Sequence, residues 1–451
     1  MECQPLLPKR SGKYSGRRQT ISSIGAATGA LSMGLSLGWS SPSIPQLQAS
    51  TSMLPGPISD TEADLVGALV PLGAFLTVSL GGPMMERWGR RMTIMLACIP
   101  MFLGWTCTLL ARNIWVMYAG RIMTGCAASL YSTVVPVYIA EISDNQHRGV
   151  LGAMFQLLCV FGLVTMAGLG VVVDWVHLAC GAMVVPCITF IRVATQHETP
   201  SWLVKNKRND EAKEALKYLR DNGNIGDELD DLIDSVRSDG VSKDLKDRTA
   251  RKIIIYMMIL MMINQLSGIS VILSFTVSIL QTAGVSIKPE LAGFTIVVVM
   301  FLFTIISIPI VGRINRKPLL FTSLFFCSLS MFCFGFYFHI KPGPSFGWVP
   351  ILCLIVLILF FSIGMGPLPW VLLGEFSLPN MGSLAATISG LTNWGASFLM
   401  TVVFSDMSAA FGLAGTFWFY GVCSATGALF SILVLPETRG KSFQEIETIL
   451  Q

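Results

Sequence analysis

The chain has 451 residues, of which 53% are hydrophobic and only 13% are charged. A soluble domain can bury one or two long apolar helices, but it cannot bury a dozen of them. The formal net charge of +4 is small, and the placement of the basic residues described below explains it without a nucleic-acid partner. The composition therefore indicates a membrane protein.

Twelve apolar windows predict twelve membrane-spanning helices, because a bilayer core requires about 20 apolar residues per span. The windows are continuous runs rather than short alternations, which favours helices over strands. Six windows precede a charged central segment and six follow it. In chain order they are 21–40, 65–83, 92–111, 115–140, 150–172, 175–194, 253–280, 291–311, 318–338, 349–373, 384–404 and 412–435.

Between the two sets of windows lies a segment crowded with charge, from Lys205 to Lys252. Asn209 can cap a helix over 210–221 whose Ala and Leu residues share one face. A second amphipathic helix is predicted over about 227–236. A solvated linker with transient helix is the alternative for both.

These features divide the chain into five predicted parts. They are an N-terminal tail (1–20), a first six-helix bundle (21–197), a linker with amphipathic helices (198–250), a second six-helix bundle (251–436) and a C-terminal tail (437–451). Basic residues concentrate in the tails, in the linker and in alternate turns, whereas the other turns carry acids. Because cytoplasmic loops are enriched in Lys and Arg, both termini and the linker are predicted to be cytoplasmic.

An internal repeat relates the two bundles. GPMMERWGRR at 82–91 follows the second window of the first bundle, and VGRINRKPL at 311–319 follows the second window of the other. Any short cytoplasmic turn can collect Arg, but the shared spacing of the basic residues favours a true repeat. The predicted fold class is an all-α membrane protein with two pseudo-symmetric six-helix bundles, an architecture used for alternating access.

Six short motifs, in the expected order at the ends of the predicted helices, resemble the sugar porter family of the major facilitator superfamily. The SPSIP ending of the first window resembles, within that family, the insect facilitated trehalose transporters. The six motifs are Gly120–Arg121 followed by VPVYIAE (135–141), RGVLG (148–152), ETPSWL (198–203), QLSGI (265–269), GPLPW (366–370) and PETRGK (436–441).

The resemblance implies a sugar site between the bundles, formed by amides that hydrogen-bond hydroxyls and by indole rings that contact the apolar sugar face. Each amide could instead join two helices, and Trp394 could equally be a packing residue. The candidates are Gln156, Asn264, Gln265, Trp370, Asn393 and Trp394.

The resemblance also implies a charged gate at the cytoplasmic helix ends, where opposite charges pair when that side is closed. The alternative is that these residues are only solvated. The candidates are Glu86, Arg87, Arg91, Glu141, Arg148, Glu198, Arg313, Glu375, Glu437 and Arg439.

The chain departs from the family pattern at several polar positions. Asn264 replaces the first Gln of a Gln-Gln pair, Ser270 replaces an Asn, and Ser274-Phe275 replaces a Tyr pair. The expected amide of the eighth span falls near Met300, and the expected acid of the tenth falls near Ser362. We therefore expect weaker binding of a hexose, or a less polar solute.

The energy source is predicted from absences in the sequence. Proton-coupled relatives carry an acid in the first span, but no Asp or Glu occurs between Ile21 and Ser59. No GxxxxGK[ST] motif is present, so nucleotide coupling is not expected. The prediction is a uniporter for trehalose or a hexose that has no enzymatic activity, cofactor or metal and acts as a monomer in the lipid bilayer.

Two other functions stay open from the sequence: a non-transporting sugar sensor, and a carrier of a polyol or another non-sugar solute. The expected location is the plasma membrane. Residues 2–7 (ECQPLL) fit an acidic dileucine sorting signal, so an endosomal or lysosomal membrane is the alternative.

Overall fold

The computed structural model describes residues 16–49, 56–144, 147–221, 225–238, 248–340, 344–375 and 382–439. The predicted sorting signal and most of both terminal tails lie outside the described residues.

Seven helices form the first bundle. The first two follow each other across Trp39 and together make one span, and each of the other five is a span by itself. They are α1 (Arg17–Gly38), α2 (Ser40–Gln48), α3 (Asp60–Trp88), α4 (Arg90–Leu109), α5 (Ile114–Ile142), α6 (Arg148–Leu169) and α7 (Trp175–Ala194).

The charged linker contains three short helices: α8 (Pro200–Lys205), α9 (Asn209–Leu219) and α10 (Gly226–Ser238). The predicted apolar face of α9 is buried, which confirms an amphipathic helix there. Asn209 is the first residue of α9 rather than its cap, because Arg208 takes the cap position. Helices α8 and α9 pack against α5 and α1, so the linker helices belong to the first bundle.

Eight helices form the second bundle. Two of its spans are broken: α11 and α12 meet at Gly268, and α15 and α16 meet at residues 364–367. A short 3₁₀ turn, Pro344–Phe346, precedes α15. The helices are α11 (Arg248–Leu266), α12 (Ile269–Ala283), α13 (Pro289–Arg313), α14 (Arg316–Ile340), α15 (Val349–Ile363), α16 (Leu368–Glu375), α17 (Gly382–Val402) and α18 (Phe404–Leu433).

The break at Gly268 requires glycine. Its φ is +83°, a left-handed conformation that residues with a Cβ rarely adopt. A Cβ at this position would also lie 2.7 Å from the ring of Tyr420. Ile269 and Ser270, which directly follow the break, line the cavity described below.

The twelve predicted spans are confirmed. Eleven helical segments among the described residues are long and apolar enough to cross a membrane. Helix α17 is not among the eleven, because its sequence is interrupted by polar residues such as Ser389, Thr392, Asn393 and Ser397. Those residues lie in the eleventh predicted span, 384–404, and two of them, Asn393 and Ser397, line the cavity described below.

The helices of both bundles end at two faces of the molecule. We call the end that carries α8–α10 the linker face, and the other end the far face. The bundles meet along α3 with α17 and α6 with α13, and at the far face α2 packs against α12. The main cavity lies between the bundles.

Candidate functional site: a central cavity and two charge clusters

One cavity of about 160 Å³ lies between the two bundles. Its wall includes all six predicted substrate residues, so the structure brings together side chains from α6, α11, α16 and α17. Gln156 is half-buried and Trp370 is 43% exposed, whereas the other four are buried. The six side chains are Gln156, Asn264, Gln265, Trp370, Asn393 and Trp394.

The polar residues of the second bundle are hydrogen-bonded to one another. Asn264 Nδ2 donates to the carbonyl oxygen of Met365 (2.8 Å), in the break between α15 and α16. Gln265 Nε2 donates to Asn264 Oδ1 (3.0 Å). Ser270 Oγ donates to Gln265 Oε1 (2.5 Å) and lies 2.7 Å from Ser397 Oγ. These bonds hold α11, α12, α17 and the break between α15 and α16 around the cavity.

A buried cation, Arg121 of α5, also lines the cavity. Its guanidinium donates from Nε to the carbonyl of Val66 (3.1 Å), from Nη1 to the carbonyl of Ser36 (3.0 Å) and from Nη2 to Ser40 Oγ (2.5 Å). It also lies over the ring of Trp39, 4.9 Å from the centroid. Every recorded acceptor is therefore neutral.

A charge cluster joins the linker-face ends of the first bundle. Arg90 donates from Nη2 to Glu141 Oε1 (2.8 Å), and both side chains are largely buried. Glu198 accepts the backbone N–H groups of Arg90 (3.0 Å) and Arg91 (3.0 Å). A carboxylate at a helix N-terminus is stabilised by the free N–H groups there. Arg91 Nη2 donates to the carbonyl oxygen of Ala194 (2.6 Å).

The second bundle repeats this arrangement. Arg316 donates from Nη2 to Glu375 Oε1 (2.6 Å), as Arg90 does to Glu141. Glu437 accepts the backbone N–H groups of Arg316 (3.0 Å) and Lys317 (3.1 Å), as Glu198 does from α4. Thr438 Oγ1 donates to the other oxygen of Glu375 (2.6 Å). The internal repeat in the sequence is thus also a repeat of contacts.

The two capping carboxylates differ in environment. Burial raises the pKa of Glu198, against the lowering effect of the N–H groups of Thr199, Arg91 and Arg90. Burial also opposes ionisation of Glu437, but that group is less enclosed. The N–H groups of Arg316, Arg439 and Lys317, with the Arg316 charge, hold the pKa of Glu437 below its ordinary value. Both residues lie outside the spans.

The other predicted gate residues lie at the surface of the linker face. Glu86 pairs with Lys205 of the linker. Arg439 Nη1 donates to Asn315 Oδ1 (3.4 Å). The remaining three are exposed, and among the described residues no carboxylate is recorded as their partner: Arg87, Arg148 and Arg313.

Sequence reasoning did not assign functional roles to several cavity residues. Arg121 appeared only as part of a motif, although an arginine inside an apolar window is itself a signal of function. Ser40 and Ser397 had no signal, because serine is common in these helices. Outside the cavity, Arg316 is the cation at the centre of the second charge cluster. It lies near Arg313 in sequence, and only helix packing distinguishes the two.

Known proteins share this architecture. The chain matches the family model described as "Sugar (and other) transporter" over residues 12–450. It is 33% identical to the facilitated trehalose transporter Tret1 of Bombyx mori over 439 residues, covering 95% of this chain and 86% of that protein. The corresponding protein of Apis mellifera ligustica is 30% identical, with coverage of 95% and 87%.

Among solved structures, the proton:xylose symporter XylE bound to 6-bromo-6-deoxy-D-glucose superposes with a TM-score of 0.80 at 22% identity, covering 97% of this chain and 100% of that one. An inward-open form of XylE from E. coli superposes with a TM-score of 0.80 at 21% identity, covering 95% of this chain and 99% of that one. The fold is therefore that of the major facilitator superfamily, a class of multi-pass membrane transporters. Within it, the chain belongs to the sugar transporter family, which confirms the predicted resemblance.

Proposed function

We propose that this chain is a facilitative sugar carrier that moves trehalose or a hexose by alternating access, without covalent chemistry, a cofactor or a nucleotide. The observation that carries the proposal is the convergence of the six predicted residues on one cavity between two similar bundles. Relatives that cover most of its length are named as facilitated trehalose transporters.

Gln156 and Asn393 are the proposed hydroxyl ligands from opposite bundles. Gln156 has no hydrogen-bond partner among the described residues, and the recorded contact of Asn393 Nδ2 is with Met261 Sδ at 3.7 Å. Their amides can therefore both donate to and accept from a solute. Trp370 offers an indole face at the rim. A ligand that contacts both bundles can draw them together, which alternating access requires.

Uniport is favoured by the neutral environment of Arg121. A proton carrier inside a membrane is normally an acid, and such an acid often pairs with a cation. Here the side chain that accepts from Arg121 is the hydroxyl of Ser40, which does not ionise near neutral pH. We therefore propose that transport follows the sugar gradient alone.

The exposed charges of the linker face are proposed to act as its gate, and the two charge clusters stabilise the bundles that carry these charges. In the described conformation the clusters hold each bundle together, while Arg87, Arg148 and Arg313 stay exposed. These exposed cations can form pairs between the bundles once that face closes. Individual exposed pairs contribute only about 0–1 kcal/mol, so the gate depends on several acting together.

We propose that the linker face is cytoplasmic, with both termini on that side, and that the protein works as a monomer in the plasma membrane. The far-face helix ends carry Asp60, Glu62, Asp174 and Asp406, while the linker-face ends carry the Arg clusters. This asymmetry follows the positive-inside rule. Protease accessibility of a C-terminal tag in sealed cells tests it, and cleavage from outside would refute it.

Uptake by proteoliposomes tests the function. We expect saturable uptake of labelled glucose or trehalose whose rate is unaffected by a pH gradient. Acceleration by an inward proton gradient would contradict uniport, and binding without flux would indicate a sensor. Flux of a polyol, without flux of either sugar, would show that the substrate is not a sugar.

Two substitutions test the position of the site. Gln156→Ala and Trp370→Ala should each reduce uptake by about tenfold, which corresponds to one lost hydrogen bond or stacking contact. Matched controls are Gln281→Ala and Trp115→Ala, exposed residues outside the cavity wall. Protein level in the membrane is measured for all four. Unchanged uptake in both cavity variants would show that the site lies elsewhere.

A further inference from the structure

The cavity wall carries a positive charge that has no counter-charge. Arg121 is the only charged side chain among the described residues that line the cavity, and it is 1% exposed. Asp64, the acid nearest in sequence to its acceptor Val66, accepts from Ser405 instead. A charge buried without a counter-charge is costly, and neutral acceptors offset only part of that cost. The cavity therefore favours a solute that brings a negative charge.

The guanidinium of Arg121 keeps two donors for such a solute. Arginine has five N–H bonds, and three of them donate to Val66, Ser36 and Ser40. Each terminal nitrogen thus retains one N–H without a recorded acceptor. Ser40 Oγ accepts from Nη2 and also lines the cavity, so its own O–H can donate to the same anion.

A carboxylate is the anion that matches these donors. Its two oxygens can accept from both terminal nitrogens of a guanidinium, and the attraction is stronger in a buried site than in water. The proposed ligands of the sugar ring, Gln156 and Asn393, line the same cavity. So does Trp394, whose buried Nε1 has no hydrogen-bond partner among the described residues. One solute with ring hydroxyls and a carboxylate can use both sets of groups.

We infer that Arg121 and Ser40 form an anion subsite, and that the preferred solute is a sugar acid of the hexuronate class, whose carboxylate pairs with Arg121. This inference rests on the proposed function and narrows it, because a neutral hexose can occupy the ring site but leaves the cation without a partner. A hexuronate is ionised near neutral pH. The membrane potential would therefore drive its transport together with its gradient.

Fluorescence titration of the purified full-length protein tests the inference, because Trp370 and Trp394 line the cavity. The ligands are D-glucuronate, D-glucuronamide and D-glucose, in a chloride-free buffer near neutral pH. Glucuronamide has the same ring as glucuronate but no charge. We expect glucuronate to change tryptophan emission at a concentration about tenfold lower than either neutral ligand, as one charge-assisted hydrogen bond allows. Glucuronate binding no tighter than glucuronamide would overturn the inference.

The other outcomes separate this inference from the proposed function. Preferred binding of glucuronate without uptake of any sugar in proteoliposomes would count against the carrier function alone. Saturable glucose uptake with no preference for glucuronate would overturn the inference and leave the carrier function intact. If added chloride strengthens glucose binding while glucuronate has no advantage, a free anion fills the subsite, and the sugar acid is wrong.

Two serine substitutions test whether Arg121 is the source of the preference. Ser40→Asp places a carboxylate beside the guanidinium, so the preference for glucuronate over glucuronamide should fall by about tenfold. Ser286→Asp adds the same charge at an exposed serine outside the cavity wall, and its preference should match wild type. Thermal unfolding verifies that both variants fold. An undiminished preference in Ser40→Asp would overturn the assignment of Arg121.

Discussion

The two faces of the molecule hold their helices in different ways. At the far face, contacts cross between the bundles. Helix α2 of the first bundle packs against α12 of the second. Asp64 Oδ2 accepts the backbone N–H of Ser405 (3.0 Å). Asp64 belongs to α3 and Ser405 to α18, so this hydrogen bond joins the two halves of the chain.

At the linker face, the recorded ion pairs of the described residues stay inside one half. Arg90 pairs with Glu141 in the first bundle, and Arg316 pairs with Glu375 in the second. A carrier that is closed at its far face has contacts between its bundles there, but not between its bundles at the opposite face. The recorded contacts of the described residues follow this pattern. The linker-face clusters thus stabilise the bundles as rigid bodies, while far-face contacts determine which side is open.

The largest expected effect is on a linker-face cluster. Arg90→Ala should lower the free energy of unfolding by about 3–5 kcal/mol, because it leaves the carboxylate of Glu141 largely buried without its cation. Unfolding of the purified variant in detergent measures this. The accessibility of the cavity from each face should not change, since Arg90 bonds only within its own bundle.

Arg87→Ala is the control for that substitution. Arg87 belongs to the same helix end but is exposed, with its guanidinium 6.0 Å from the ring of Trp88. We expect its free energy of unfolding to change by no more than about 0.5 kcal/mol. Equal losses in the two variants would contradict the distinction between a buried cluster and solvated charges.

A smaller effect is expected at the far face. Asp64→Ala removes the acceptor for Ser405, so the far face should open more often, with a shift of about tenfold in the equilibrium between closed and open forms. The shift can be measured with the variant Ser274→Cys, in a protein whose accessible native cysteines have been replaced. The measured quantity is the rate at which an impermeant thiol reagent modifies this cysteine in the cavity.

Asp64→Asn is the matched variant, because its amide oxygen can still accept the N–H of Ser405. Its modification rate should lie between those of wild type and Asp64→Ala. A rate in Asp64→Ala equal to that of wild type would show that the hydrogen bond does not hold the far face closed.

The smallest expected effect is a difference between the two linker-face clusters in how protein stability depends on pH. The pKa of Glu437 is lowered in the folded protein, so its stabilisation is present above its ordinary value of 4.5 and is lost as pH falls below that value. The pKa of Glu198 is raised, so wild type should gain stability as pH falls from neutral toward 4.5.

Unfolding temperatures of wild type, Glu437→Gln and Glu198→Gln between pH 7 and pH 4 test this opposite behaviour. The advantage of wild type over Glu437→Gln should shrink on acidification below 4.5. Relative to Glu198→Gln, wild type should improve as the pH approaches 4.5 from above. Parallel pH profiles for the two variants would refute the assigned difference in environment.

The sequence by itself determined the number of spans, because a continuous apolar run of bilayer length has few other stable forms. It also determined the repeat and six of the residues that line the cavity. Positions such as Gln156 and Asn393 are polar residues in apolar helices, and such residues turn away from lipid toward the interior or a cavity.

The tertiary structure alone decided which of these groups are available. Asn264 and Gln265 look equivalent to Gln156 in the sequence, yet their hydrogen bonds are taken by Ser270 and Met365. In the same way, Arg90 pairs and Arg87 does not, although they are three residues apart. Hydrogen bonds and ion pairs depend on distances of about 3 Å between helices far apart in the chain, and those distances exist only after packing.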